Sequence, residues 1–548
     1  MNVPFEKRTL KNGLDVVVHE DRRLPIVAVS VWYHVGSKNE RPGKTGFAHL
    51  FEHLMFEGSA HQPRGYFEPL TEAGASLNGS TSVDRTDYWE VVPKEAARLA
   101  LWMEADRMGW MLPALTPARF ETQRGVVINE RRENYENKPY GLAQFTVAKT
   151  LFPPEHPYAW PTIGEVEDLH AASVDDAREF FARYYHPGNA SLVVAGDIGA
   201  GEAFAIVDEL FGHIPAGPSV ARIEPPAANG IGARVELVDR IELPRLYLTW
   251  ATPPLFEAGD ADLDLAADVL SQGRTSRLYR RLIHDRRTAA DVVAGQSSRE
   301  LVSLFQVVAT AAPGVGADEV RAAITEEIVR LQDEGPTEDE IERGRARAEA
   351  GFLYRLKSLG GFGGKAGQLN AYNVYRGQPD SFDADLARYL TATRESVRDA
   401  ARRWLDPGRA TEVLVVGSDP GLTPTSAYVQ IHHSRARAAV SRGVPSLRAS
   451  RARQRRAGVD DAAHRGPCRD DCGPAGHRHR GRPTRSARPR QSDELADGRG
   501  RRHARRHRHV GRAGPHRQPD RLRYRLRRVH ALDDRAGEAS RHGTGPDC

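Results

Sequence analysis

The chain of 548 residues is 40% hydrophobic, enough for several domains with cores of their own, and its 78 basic against 73 acidic residues leave a net charge of only +5. No run of eighteen apolar residues occurs, so the sequence offers no candidate for a helix that crosses a membrane. The small net charge hides a division, because residues 431–548 hold 31 Arg against 12 acidic residues, or +19, while residues 1–430 carry −14.

Residues 1–11 are polar and charged, without the apolar stretch of a secretion signal. A cytoplasmic protein is the expectation as written, and a periplasmic one if the true start lies upstream. Residues 14–19 and 25–36 are β-branched and partly alternating, which predicts two strands of a half-buried sheet. A helix follows the Gly/Pro/Lys turn at 41–46. Residues 76–82 and 86–92 form a second strand pair. Helices are expected over 94–110, 117–137, 140–151 and 174–184, then a strand over 190–196 and a helix over 201–211. These elements make a first domain, 1–215. A stretch rich in Pro, Gly and Ala, 216–232, reads as a linker to a second domain, 233–425.

The second domain looks like a divergent copy of the first. RYYHPGNASLVVAGD from Arg183 aligns with RWLDPGRATEVLVVGSD from Arg403, pairing Pro187 with Pro407, Gly188 with Gly408 and Ala190 with Ala410. Both segments end a helix and begin a strand. Between them, 358–368 (SLGGFGGKAGQ) reads as a mobile loop or a helix break.

The chemistry concentrates in Gly46-Phe-Ala-His-Leu-Phe-Glu-His-Leu-Met-Phe56. On a helix, His49 and His53 stand one turn apart on one face, with Glu52 beside them. Two imidazoles and a carboxylate in the order His-x-x-Glu-His suit a zinc site that needs one more protein ligand and keeps a place for water. An amphipathic helix with Phe47, Leu50 and Leu54 turned inward and solvated histidines would give the same five residues. Downstream, the helix over 117–137 starts with Pro117, has Phe120, Val127 and Ile128 as apolar positions, and carries Glu130, Glu133 and Glu136 as candidate ligands.

These motifs, with the run VVINERRENYENKPYG around Glu130, resemble those of the M16 zinc metallopeptidases, the family of pitrilysin, insulin-degrading enzyme and mitochondrial processing peptidase. The likeness covers roughly residues 5–420. It implies an α+β fold of two homologous domains, each a mainly antiparallel sheet with helices packed on it, together one half of a clam-shell. It implies one Zn²⁺ per chain on His49, His53 and Glu130, the last separated from His53 by 76 residues. Glu52 would then be the general base, and Glu133 could replace Glu130 as ligand or orient a histidine from outside the metal's own ligands. An edge strand with Asn78 would bind an extended peptide by β-augmentation; taken alone, Asn78 before Gly79 also fits a turn.

The sequence departs from the family at one point. Where the second unit of some members completes the site, an arginine and, seven residues on, a tyrosine follow Ser-Arg-Leu, and here Ile283 and Ala290 stand in those places. Loss of an oxyanion donor costs about a hundred- to a thousandfold in rate. The expected activity is therefore a zinc metalloendopeptidase acting on extended peptides or unfolded segments, with a second M16-like chain, a homodimer or a missing C-terminal half as partner. A catalytically weak or silent subunit is the alternative.

The tail, 426–548, has a different character. From residue 431 it contains no Lys, Phe, Trp, Asn or Met. So little apolar surface cannot offset chain entropy, and disorder is expected. The joint loss of residues with AT-rich codons is also what out-of-frame translation of a GC-rich gene produces. A basic arm is a third reading, but with stacking aromatics nearly absent, nucleic acid is not the expected partner. All three cysteines, Cys468, Cys472 and Cys548, lie here, so the core says nothing about redox compartment.

Overall fold

The computed structural model describes residues 3–418 and 429–431. The Arg-rich tail and its cysteines lie outside them. The first half runs β1 (Glu6–Thr9), β2 (Asp15–Glu20), β3 (Ile26–Tyr33), α1 (Phe47–Leu54), α2 (Phe67–Glu72), β4 (Ser76–Thr81), β5 (Thr86–Pro93), α3 (Ala97–Ala114), α4 (Pro117–Arg131), α5 (Ala143–Leu151), α6 (Val166–Ala171), α7 (Val174–Tyr184), β6 (Ala190–Gly196) and α8 (Ala200–Phe211). Residues 215–230 carry no helix or strand. The second half runs β7 (Arg234–Asp239), β8 (Arg245–Thr252), α9 (Asp260–Ser271), β9 (Ala289–Ser297), β10 (Ser303–Ala311), α10 (Ala317–Glu334), α11 (Glu338–Arg355), α12 (Lys365–Arg376), α13 (Phe382–Leu390), α14 (Arg394–Trp404), β11 (Thr411–Gly417) and β12 (Val429–Ile431).

The fold is α+β, with one six-stranded sheet in each half. The strand orders are β1-β2-β6-β3-β5-β4 and β12-β7-β11-β8-β10-β9. Position by position the two sheets match, and each contains a single parallel pair, β2 with β6 and β7 with β11. The aligned Pro-Gly segments both form 3₁₀ turns, Pro187–Asn189 and Pro407–Arg409, leading into β6 and β11. The outermost strand differs in origin: β1 precedes its neighbour in the chain, whereas β12 comes from the far end of its unit.

The expectation of half-buried strands fails at β3, where seven of eight residues are buried. One face packs on its own helices. The other is covered by α12 from the second half, whose Ala366, Leu369 and Tyr372 share a core with Val17, Ala28, Val193 and Ala195. The arrangement is reciprocal, for α5 lays Ala143 and Val147 on Leu237, Tyr247, Val413 and Val415 of the second sheet. Each sheet thus buries its second face under a helix from the other half. The segment 358–368 is a helix break: α11 ends at Arg355 and α12 starts at Lys365. Gly360 lies so close to the sheet that a Cβ there would come within 2.6 Å of Val91 Cγ2.

Other differences are local. β1 falls in the polar N-terminal stretch, where all four residues are exposed and pairing with β2 rather than side-chain pattern makes the strand. The helix over 94–110 runs three residues later at its start and kinks at Trp110. The helix over 117–137 is α-helical only to Arg131 and continues as a π-helical turn, Arg132–Glu136.

Two features hold the elements that carry the candidate ligands. First, α1 starts at Gly46 with φ 89°, directly against Gly164 with φ 83°. A Cβ on Gly164 would lie 2.5 Å from Gly46 Cα, so backbone touches backbone. Arg131, at the end of α4, donates to the Gly164 carbonyl and pairs with Glu165 at 3.2 Å. One short loop therefore braces both α1 and α4. Second, the β9–β10 turn of the second half docks on the first: Glu300 pairs with buried Lys38 and, at 2.7 Å, with His34.

Two predictions follow from these contacts. Gly164→Ala, which combines a positive φ with backbone overlap, is expected to cost about 3 kcal/mol, whereas Gly125→Ala in α4, with open space around it, should stabilise by about 0.5–1 kcal/mol. Denaturant unfolding of both variants checks the contrast. Burial works against the Glu300 charge, but His34 and Lys38 outweigh it and hold the carboxyl at about 2 against its ordinary 4.5. The folded state therefore binds this proton more weakly, and the contribution, about 3 kcal/mol, is full above pH 4.5 and lost as pH falls toward 2. Glu300→Gln should be less stable than the parent at pH 7 and indistinguishable from it near pH 2; an equal deficit at both pH values refutes the assignment.

Candidate metal centre

Every residue of α1 is buried, which water alone could not accommodate at its N-terminus. Glu40 supplies the acceptors, taking the Gly46 amide at 2.9 Å and the Ala48 amide at 2.8 Å. Burial pushes its carboxyl up to about 8, against the pull of these amides. Phe47, Leu50, Phe51 and Leu54 join the first core, which turns His49, Glu52 and His53 to the opposite side. The amphipathic pattern is therefore present, yet the histidines are not solvated: they are 1% and 7% exposed.

α4 brings Glu130 to them. Thr116 caps this helix by accepting from Arg119 N–H at 3.2 Å, Pro117 occupies its first turn, and Phe120, Val127 and Ile128 are buried as their spacing predicts. Glu130 Oε2 lies 3.4 Å from His53 Nε2 and 3.8 Å from His49 Nε2. The imidazoles meet edge to face, centroids 4.8 Å apart. Among the described residues, this is the one group of three or more His, Cys, Asp or Glu whose ligating atoms lie within 4.8 Å of one another. Tetrahedral zinc with bonds of 2.0–2.2 Å places its ligand atoms about 3.4 Å apart, close to the two distances from Glu130 to the imidazoles. The other Glu130 oxygen accepts from Asn134 Nδ2 at 3.3 Å.

Glu52 is 5% exposed, and its Oε2 accepts from Thr81 Oγ1 at 2.7 Å. Thr81 ends β4, the edge strand of the first sheet. Nothing in the sequence marks it, since a threonine at a strand end carries no signature. Glu133 stands in the π-helical turn, exposed and outside the ligand group. Glu136 pairs with Arg131 at 3.1 Å.

Asn78 lies on β4 opposite Trp89, and its Oδ1 accepts from Gly79 N–H at 2.8 Å. Gly79 faces Tyr88 and the Phe56 ring just beyond α1, which an added Cβ would meet at 3.0 and 3.1 Å. By strand alternation the Asn78 side chain is on the other face from Thr81. The structure brings the edge strand to Glu52, but not the Asn78 side chain. Ile283 packs against the second core, and Ala290 is exposed on β9; neither offers a side-chain donor.

Comparison with known proteins agrees with this geometry. The family model described as insulinase (peptidase family M16) matches residues 15–153, and the one described as peptidase M16 inactive domain matches residues 171–348. The chain is 29% identical to zinc protease PqqE of Helicobacter pylori over 381 residues, 68% of this chain and 85% of that protein. It is 26% identical to the uncharacterized zinc protease YmxG of Bacillus subtilis over 361 residues, 65% of this chain and 85% of the relative. Among solved structures, a protease from Helicobacter pylori superposes with a TM-score of 0.70 at 25% identity, over 76% of this chain and all of that one. A peptidase M16 inactive domain from Pseudomonas fluorescens, at 20% identity, shares the fold with a TM-score of 0.68 over 77% of this chain and all of its own. With the two sheets, the His-x-x-Glu-His helix and both family models in register along the chain, the protein belongs to the M16 peptidase family.

Proposed function

We propose that the chain is a zinc-dependent endopeptidase that hydrolyses extended peptides or unfolded protein segments, with His49, His53 and Glu130 holding one Zn²⁺. The observation that carries this reading is the convergence of three buried or half-buried ligand groups at zinc spacing beside a carboxylate that is itself held by Thr81. The names of the relatives, zinc proteases, support the choice of metal. Zinc bound there would polarise the peptide carbonyl and acidify a water.

The chain's own groups do the rest. Glu52 takes a proton from the attacking water and returns it to the leaving nitrogen, a role that needs the carboxylate fixed in place. Thr81, by donating to Oε2, holds the carboxylate in a fixed orientation. β4, an edge, offers its backbone to a peptide that adds as a further strand, and main-chain pairing of this kind tolerates many sequences. Burial of α1 excludes bulk water from the imidazoles.

A second reading, a weak or silent subunit that needs a partner chain or a C-terminal half, is favoured by one observation. Ile283 and Ala290, at the places where the resemblance would put an arginine and a tyrosine, offer no side-chain donor to a developing oxyanion. The two readings differ in whether the purified chain alone turns over a quenched fluorescent peptide.

Glu52→Gln is expected to retain zinc while kcat falls by about 10²–10⁴-fold, and full turnover would remove Glu52 from the role of base. Glu130→Gln should lose bound zinc, whereas Glu133→Gln should keep it; the reverse pattern makes Glu133 the ligand. Metal analysis alongside the peptide assay reads all three variants.

A further inference from the structure

Thr81 is the last residue of β4, and the turn after it is not held by its own sheet alone. Asp84, at the turn, is buried, and groups from three other segments converge on it. Tyr158 Oη donates to Asp84 Oδ1 at 2.5 Å. Lys38 Nζ stands 3.5 Å from that oxygen and donates to the Asp84 carbonyl at 3.1 Å. The third contact comes from the half without metal ligands: the backbone N–H of Glu300 donates to Asp84 Oδ2 at 3.0 Å.

Glu300 returns the contact through its side chain, which pairs with Lys38 and His34. The next residue, Leu301, donates its N–H to Tyr158 Oη at 3.0 Å. Apolar packing follows the same path, since Val83 of the turn sits on a core made by Tyr158, Trp160 and Leu304. Gly36 presses on the turn from the other side, where a Cβ would fall 2.4 Å from the Ser82 carbonyl. The 82–85 turn is thus clamped between the two halves, and its first neighbour is the threonine that holds Glu52.

We propose that Glu300, on the metal-free half, is a positioning residue for hydrolysis at the His49–His53–Glu130 centre. It balances Lys38, so that Lys38 and Asp84 keep the turn, and with it Thr81 Oγ1, in line with the Glu52 carboxylate. The inference rests on the peptidase reading above and adds a task for the second half. Without the Glu300 charge, the buried Lys38 ammonium has Asp84 as its remaining carboxylate partner and draws it out of its bonds to Tyr158 and the Glu300 amide. A shift of a fraction of an ångström at Thr81 then misplaces the base, which lowers kcat more than it raises KM.

The test is a double-mutant cycle on the zinc-loaded full chain, assayed with a quenched fluorescent peptide well below the melting temperature. Glu300→Gln and Thr81→Val are each expected to lower kcat about tenfold or more with zinc content and KM near the parent values. The double variant should fall no further than the worse single one, and Thr81→Ser, which keeps the hydroxyl, should restore most of the rate. Additive losses, or parental kcat in Glu300→Gln, overturn the proposal. Should Glu300→Gln fold poorly, Tyr158→Phe replaces it in the same cycle with the same expectation. The parent chain and Glu52→Gln separate the two levels of inference: a zinc-loaded parent that does not turn over the peptide sinks the peptidase reading, while an active parent and an inactive Glu52→Gln beside an additive Glu300–Thr81 cycle sink only the positioning role.

Discussion

A helix buried along its whole length can present polar side chains to a reaction only if its own free amides are satisfied without water, and α1 meets that demand in a confined way. The Gly46 and Ala48 amides reach the two oxygens of one carboxylate, Glu40, and the chain enters the helix through a left-handed glycine that lies against another glycine. No side chain separates Gly46 from Gly164, so the depth of the helix is set by contact between backbones, which yield far less than side chains do. Arg131 reads the same loop from α4. The distance from Glu130 to the two imidazoles is therefore fixed by one shared support rather than by two independent packings.

The same economy appears between the halves. A sheet of six strands has two faces to cover, and the helices of one unit cover one. The exchange of α12 and α5 closes the second face of each sheet with a helix from the other half, so neither half has a complete core by itself. The half without the candidate ligands is thus a structural requirement of the half that carries them. Polar contacts follow the apolar ones: Asn370 of α12 donates to the Ser30 carbonyl at 2.9 Å, and Lys365 pairs with Asp21 across the same seam.

Much of this was legible in the chain, for identifiable reasons. His49, Glu52 and His53 share a helical period, and the Pro187-Gly188 pair marks where the helix before it ends and β6 begins. The copy of that pair at Pro407-Gly408 disclosed the repeat. What stayed hidden depends on contacts distant in sequence. Full burial of β3 requires α12, more than three hundred residues away, and the resulting composition looks like that of any β-branched strand. β1 has no pattern because all its side chains face solvent. Thr81 acts through its one hydroxyl and Glu40 through its carboxylate, isolated side-chain contacts that leave no periodic trace. The face of Asn78 could not be assigned, since β4 mixes polar residues on both sides.

The different origins of β1 and β12 bear on how the second sheet is completed. In the first sheet the outer strand is made before β2 exists; in the second, β7 has its inner neighbour β11 only after residue 417 and its outer neighbour only at Val429–Ile431. Until then β7 presents a bare row of amides and carbonyls, the kind of edge to which another chain can add. The last residue of β12 is also where the composition turns to Arg-rich sequence. The boundary of the ordered-type composition thus coincides with the strand that seals the sheet, and a chain cut even a dozen residues earlier would retain both sheets' cores while leaving one of them open to self-association.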